Sequence, residues 1–348
     1  MNRETKTSFF DFIEHPIIAD RYEFVRIVGK GAMGVVIKVN DKMLDDDTVA
    51  LKLLYPYLIA DQTILARFKN EVLVARKLAH PNIVRLYDFG WDQPTSAFIS
   101  MEYVEGSSLA SLIHPPKGII LSFPDICHIL RATAAGLQHA HSEGVVHRDI
   151  KPDNVIITEK KVVKLTDLGL ARSLDVDKGY TGTGEAVGTP FYIAPETIYG
   201  FPPDPRADIY SFGIMAYEMA TGRLPFSDKS WLRLAEMHLK HPLPDLIGEA
   251  RNHPSWFKEL LIAATHKEAK DRFQSFEELI GYIDNNLNKV TTPPPVVEQP
   301  KLRWRRQVTM HNITVGIKKS RFFILTVVMI TALIIGIIYG IRSSHNVQ

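Results

Sequence analysis

The apolar residues of this chain change their spacing near residue 106, and that change limits the fold more than any other single feature. Before it, Tyr22–Val28, Val35–Asn40, Val49–Leu54, Ile83–Phe89 and Phe98–Tyr103 are short runs rich in β-branched and aromatic residues. They are bounded by Gly, Asp or Pro and read as strands. One helical pattern interrupts them over about 63–78, where Leu65, Phe68, Val72, Ala75 and Leu78 recur at helix spacing. After it, helices are expected over about 123–142, 207–222, 230–239, 255–264 and 275–286. The order implies an α+β architecture, a small β-rich lobe followed by a larger helical one.

Composition narrows the class without naming it. At 348 residues, 45% hydrophobic and 23% charged with a formal net charge of +2, the chain is not a disordered one, and it carries no global attraction for nucleic acid. The single cysteine, Cys127, excludes an internal disulfide framework and, in its apolar setting, reads as a buried small hydrophobe. Residues 1–20 mix Arg3, Glu4, Lys6, Asp11 and Glu14 with short apolar pairs, a pattern unlike a secretory signal.

The C-terminal end differs. Twenty residues from Phe322 to Ile341 run without a charge, about the length that spans a bilayer core as a helix. Seven Lys or Arg residues lie at 301–321 and only Arg342 follows the span, so positive-inside counting puts the preceding domain in the cytoplasm. Prolines at 293–295 and 300 make residues 289–300 an extended, semi-rigid spacer. The expected organisation is an extension (1–21), a main domain (22–285), a Pro-rich then basic linker (286–321), a transmembrane helix (322–341) and a short tail (342–348). The basic stretch with Trp304 suits anionic lipid. Ala332, Gly336 and Gly340 form a small-residue face that would suit a homodimer.

Three groups of residues carry chemistry. Gly29-Lys30-Gly31-Ala32-Met33-Gly34 lies between the first two strand patterns, where glycines let backbone N–H groups approach phosphate oxygens. Dinucleotide-binding folds share this spacing, but they need a helix directly afterwards, and here a β-rich segment follows. Lys52 ends a strand-like run, and Glu71 lies nineteen positions on in the helical pattern. The two suggest an ion pair that aims the ammonium at phosphates. The most specific string is Val146-His147-Arg148-Asp149-Ile150-Lys151-Pro152-Asp153-Asn154, followed thirteen residues later by Asp167-Leu168-Gly169. It supplies a carboxylate to accept a hydroxyl proton, a cation beside a transferring phosphoryl group, and oxygen ligands for Mg²⁺.

The ordered set resembles the eukaryotic-type (Hanks-type) serine/threonine protein kinase family over roughly residues 22–285, and its glycine string is similar to bacterial, membrane-anchored members. The resemblance implies the bilobal protein-kinase fold and ATP- and Mg²⁺-dependent phosphorylation of serine and threonine in proteins, including the chain itself. It makes Asp149 the base with Lys151 beside it, and gives Asn154 and Asp167 to Mg²⁺. It gives ATP the residues Val28, Gly29, Lys30, Gly31, Ala32, Met33, Gly34, Val36, Ala50, Lys52, Glu71, Met101, Glu102 and Val104. Glu102, Tyr103 and Val104 match the hinge, and Met101 the residue at the back of the pocket. Glu196 of Ala194-Pro195-Glu196 would pair with Arg272, and Asp208 would brace the catalytic loop. Lys151 after the base, and Gly188-Thr189-Pro190-Phe191-Tyr192, resemble the serine/threonine branch. Leu168 stands where phenylalanine is commoner, a swap of one apolar residue for another.

Arg148 beside the base needs an anionic partner. In the family that partner is often a phosphorylated residue of the following loop, here Thr181 or Thr183 rather than Ser173, Tyr180 or Thr189. A binding scaffold on the same fold would lack one of Lys52, Asp149, Asn154 or Asp167, and all four are present. A small-molecule phosphotransferase would lack the segment from Gly169 to Glu196. The expected location is a single-pass membrane protein with a cytoplasmic kinase domain, in a bacterial inner membrane in preference to a tail-anchored eukaryotic one. Its partners would be Ser/Thr-bearing proteins, membrane lipid through 322–341 and a second copy, with no nucleic acid.

Overall fold

Strand order follows from which faces of each strand are apolar. A computed structural model describes residues 17–289 apart from 32, 94–95, 115–117, 169–189 and 203. In the first lobe six strands form one antiparallel sheet in the order β1 (Ile17–Ile18), β2 (Tyr22–Lys30), β3 (Gly34–Asp41), β4 (Asp47–Leu54), β6 (Ser96–Glu102) and β5 (Leu86–Gln93). Central β4 is apolar on both faces. Val49, Leu51 and Leu53 meet Val35, Ile37 and Val39 of β3 on one side, while Ala50 and Leu54 face the helices on the other.

Those helices are α1 (Pro56–Ala60) and α2 (Gln62–Ala75). Asp61 caps α2, its carboxylate accepting the N–H groups of Thr63 and Ile64. Leu65, Phe68, Val72 and Ala75 form its buried stripe. The helix stops at Ala75 rather than near 78, with Arg76 as its C-cap and a turn over residues 76–77. Leu78 instead joins the core of the second lobe. The strand expected from Ile83 begins at Leu86. Ile83 makes a parallel bridge to Leu165, so this stretch belongs to the seam between lobes.

The second lobe opens with β7 (Gly106–Ser108) and α3 (Leu109–Ile113), followed by α4 (Phe123–Ser142). Then β8 (Val155–Thr158) and β9 (Val163–Leu165) complete a three-stranded sheet with β7. The helices α5 (Pro195–Ile198), α6 (Pro205–Thr221), α7 (Trp231–Lys240), α8 (Ser255–Ala264) and α9 (Phe276–Lys289) follow. Helix α6 is buried on every side and forms the axis of the lobe. Asp204 caps its start, Pro205 takes its first position, and Gly222 in the left-handed region ends it. Cys127 is buried in the same core, which pushes its thiol up to about 11 and leaves it an inert packing group.

Among the described residues no helix is long and apolar enough to cross a membrane. The linker expected from 286 begins later, because α9 continues to Lys289; residues 290–321, the expected span 322–341, Ala32, and the loop threonines Thr181 and Thr183 lie outside the described residues.

Candidate active site

The loop carrying Asp149 hangs from α6. Asp208, one turn into that helix and 1% exposed, accepts the backbone N–H of His147 at 2.7 Å and of Arg148 at 2.8 Å. His141 reaches the same carboxylate at 2.7 Å. These bonds hold Arg148 at φ +69°, a conformation a side chain adopts only when its surroundings enforce it. His147 is fully buried. Its Nδ1 accepts the N–H of Asp149, and its Nε2 donates to the Thr166 carbonyl, which assigns the proton to Nε2 and ties the loop to the residue before Asp167.

Within the loop the short spacing closes on itself. The Lys151 ammonium lies 2.7 Å from Asp149 Oδ2, and Asn154 Nδ2 donates to the Asp149 carbonyl at 2.7 Å and to Oδ2 at 3.0 Å. Both side-chain bonds fall on Oδ2, so the carboxylate is held by one oxygen and can offer the other. The Asn154 amide nitrogen is committed to the loop, which turns its carbonyl oxygen away from it.

Across the seam, Lys52 is 4% exposed and its ammonium meets Asp167 Oδ1 at 2.6 Å. The sequence suggests Glu71 as a partner of this ammonium; Asp167 is one that the structure brings to it. A buried ammonium needs a carboxylate close by. Asp167, at φ +61°, turns its own into the seam, while Glu71 sits half-buried on α2. Burial acts to raise the Asp167 carboxyl, but the Lys52 charge outweighs it and holds the group below the usual carboxylate range.

The glycines divide into two kinds. A Cβ at Gly34 would stand 1.9 Å from the Leu53 carbonyl oxygen, so Gly34 is required by the close approach of β3 to β4. A Cβ at Gly29 would meet nothing within 4 Å, and one at Gly31 only the Gly34 carbonyl at 4.0 Å, so those two leave open space at the strand tips. Beneath them Val36, Ala50, Met101 and Val104 share one apolar cluster, with Ala50 and Met101 directly paired between β4 and β6. Met33 packs into the same cluster, whereas Val28 is 45% exposed at the lobe edge. Tyr103 of the hinge accepts a hydrogen bond from Arg26, and Lys38 lies over its ring.

The set suits a nucleotide with its metal. An apolar cluster of Val36, Ala50, Met101 and Val104 lies beside residues 102–104, the open space at Gly29 and Gly31 leaves room for phosphates, and Lys52 supplies a cation. Asn154 and Asp167 supply hard oxygens. Among the described residues no cluster of three or more His, Cys, Asp or Glu could cage a metal alone. Mg²⁺ at phosphates needs only one or two protein oxygens.

Two further pairs lie beyond the site. Arg272, its side chain wholly buried, donates to both Glu196 oxygens at 2.7 Å and to the carbonyls of His266, Lys267 and Arg206. Tyr192 donates to the buried carboxylate of Glu218, and burial pushes the phenol up.

Comparison with known proteins agrees with this geometry. The family described as "Protein kinase domain" matches residues 22–281. The chain belongs to the protein kinase family. Among curated relatives of this kinase, the probable serine/threonine-protein kinase PknB of Lactococcus lactis is 33% identical over 264 residues, 76% of this chain and 42% of that protein. Serine/threonine-protein kinase PrkC of Bacillus subtilis is 33% identical over 268 residues, 75% of this chain and 40% of that one. The chain thus spans less than half the length of these relatives. Among solved structures, the Mycobacterium tuberculosis PknI kinase domain is 28% identical with a TM-score of 0.60, covering 78% of this chain and 98% of that domain.

In this kinase two contacts escaped the motif reading. His141 on Asp208 leaves no local signal, because the partners are 67 positions apart. Lys164, a lysine between buried Val163 and Leu165, could have been found as the one polar residue of a three-residue strand, pointing away from the core.

Proposed function

We propose that this chain transfers the γ-phosphoryl group of ATP to serine and threonine hydroxyls of proteins. The observation that carries the reading is the convergence, within one lobe seam, of Lys52 on Asp167 and of Lys151 and Asn154 on Asp149. Magnesium-bound ATP would supply the transferable phosphoryl group and divalent charge at Asn154 and Asp167. Asp149 accepts the proton of the attacking hydroxyl on its outer oxygen, and Lys151 holds that carboxylate in place while placing positive charge beside the transfer. Lys52 adds charge from the other lobe. The relatives' names support the serine/threonine specificity.

The reading includes autophosphorylation at Thr181 or Thr183, with Arg148 as the cation that receives the phosphate. It also includes a membrane tether at Phe322–Ile341 with the kinase domain on the cytoplasmic side, supported by the charge-free run and the seven basic residues before it.

The test is phosphate incorporation into a generic protein substrate with labelled ATP and Mg²⁺, comparing the natural chain with Asp149→Ala. Loss of the base should reduce incorporation by about 10²–10⁴-fold. A variant with near-normal incorporation defeats the reading. Mass spectrometry of the active protein with neither threonine modified removes the autophosphorylation component.

A further inference from the structure

A side-chain contact that the catalytic set does not use joins the hinge to the strand ahead of Asp167. Glu102, the last residue of β6, donates its N–H to the Arg85 carbonyl at 2.9 Å and accepts the Arg85 N–H on its carboxylate at 3.2 Å. The same carboxylate takes the Lys164 ammonium, 2.7 Å from Oε1 and 2.9 Å from Oε2. Lys164 is the middle residue of β9, whose backbone is fixed on its other side. Asn82 Nδ2 donates to the Val163 carbonyl at 2.8 Å, Leu165 N–H to the Asn82 carbonyl at 2.9 Å, and Val84 N–H to the Leu165 carbonyl at 2.8 Å. Residues 82–85 thus bind β9 at one end and the hinge at the other, and Lys164 closes the ring by reaching the hinge directly. Asp167 follows two residues after β9.

We propose that Lys164 is a positioning residue for the nucleotide. Its ion pair with Glu102 sets the spacing and angle between the hinge that receives adenine and the Asp167 carboxylate that receives the metal. The inference rests on the ATP site proposed above. A ligand that engages both ends at once gains affinity only if the two ends are held in register. A ligand that engages the hinge alone is indifferent to where Asp167 stands. The pair is only partly exposed, 16% for the Lys164 side chain and 29% for Glu102, so solvent screens it incompletely.

The experiment measures binding of Mg²⁺-ADP and of adenosine to the full chain by calorimetry, for the natural protein, Lys164→Met, Lys164→Arg and Glu102→Gln. Lys164→Met and Glu102→Gln should weaken Mg²⁺-ADP roughly fivefold, the scale of one partly screened ion pair, and adenosine less than twofold. Lys164→Arg should restore Mg²⁺-ADP binding, because a guanidinium reaches the same carboxylate. In turnover of Lys164→Met, the KM for ATP should rise with kcat little changed. Equal weakening of both ligands would mean local damage to the hinge and overturn the proposal, as would unchanged Mg²⁺-ADP binding or failure of the arginine variant to restore it. A natural chain that binds neither ligand overturns the nucleotide reading and this inference with it. Normal binding by both the natural protein and Lys164→Met overturns the inference alone.

Discussion

Lys52 of the small lobe and Asp167 of the large one lie 2.6 Å apart at Nζ and Oδ1, across 115 positions of sequence. Each is the other's counter-charge, and each is a group that phosphates or their metal would engage. The lobes therefore meet at a charged contact that a bound nucleotide would enter. Lys52→Met keeps the stem packed in the sheet and removes only the charge. Incorporation of labelled phosphate should fall by at least about 10²-fold, the scale of one lost electrostatic stabiliser, with the far-ultraviolet circular dichroism unchanged. Activity within tenfold of the natural protein would show that this ammonium is dispensable.

The glycine string makes a prediction because its members differ. Gly34→Ala drives a Cβ into the Leu53 carbonyl, so β3 and β4 must separate. That variant should lose stability by roughly 1–3 kcal/mol as well as activity, read by urea denaturation. Gly29→Ala and Gly31→Ala meet open space, so the fold should be unaffected, within about 1 kcal/mol. Their effect should be confined to the KM for ATP. Equal destabilisation by all three would refute the division.

How much was legible in the sequence follows the distance over which each contact is made. Asp149, Lys151 and Asn154 bond to one another within five residues, so their residue types and spacing displayed the chemistry directly. The stripe of α2 and the strands of the sheet were legible because burial imposes a period. Partner choice across the seam was not. That Asp167, 115 positions from Lys52, comes to its ammonium is decided only by the packing of the lobes. The same holds for Ile83, which reads as a strand residue but spends its backbone on a bridge to Leu165. Gly34 was legible as a glycine, but its reason was not: the Leu53 carbonyl that excludes a side chain belongs to the next strand. The Glu196–Arg272 pair followed from family resemblance, since nothing local links positions 76 apart.

That pair carries a prediction about stability. Arg272 is enclosed, with three backbone carbonyls and both Glu196 oxygens around its guanidinium. Arg272→Met strands a carboxylate and those acceptors and should cost about 3–5 kcal/mol in urea unfolding. Arg272→Lys should recover little of it, because an ammonium cannot fork onto both oxygens and the carbonyls together. Substantial recovery by lysine would show that charge alone, and not the planar fork, holds α5 to the end of the domain.

His238 should give the domain an acid-sensitive stability. The imidazole on α7 is completely buried, and its Nδ1 lies 2.9 Å from the Tyr210 hydroxyl. Lys267 donates to that hydroxyl at 3.4 Å, which leaves the tyrosine proton for His238, at Nδ1 or at its carbonyl 3.5 Å away. Burial first, and the Lys267 charge second, push the imidazole down to about 3 from the ordinary 6.5. Between those values the unfolded chain binds a proton that the folded one refuses. Stability is therefore fully present above pH 6.5 and falls as the pH drops through the window, by up to about 1.4 kcal/mol per pH unit. Urea unfolding at pH 6.5 and 5.0 should differ by roughly 2 kcal/mol in the natural protein from this group. His238→Asn keeps an acceptor near the Nδ1 position and has no titration in this range, so its stability should depend markedly less on pH between the same two conditions. If both proteins lose the same amount, the acid sensitivity arises elsewhere and His238 is merely packed.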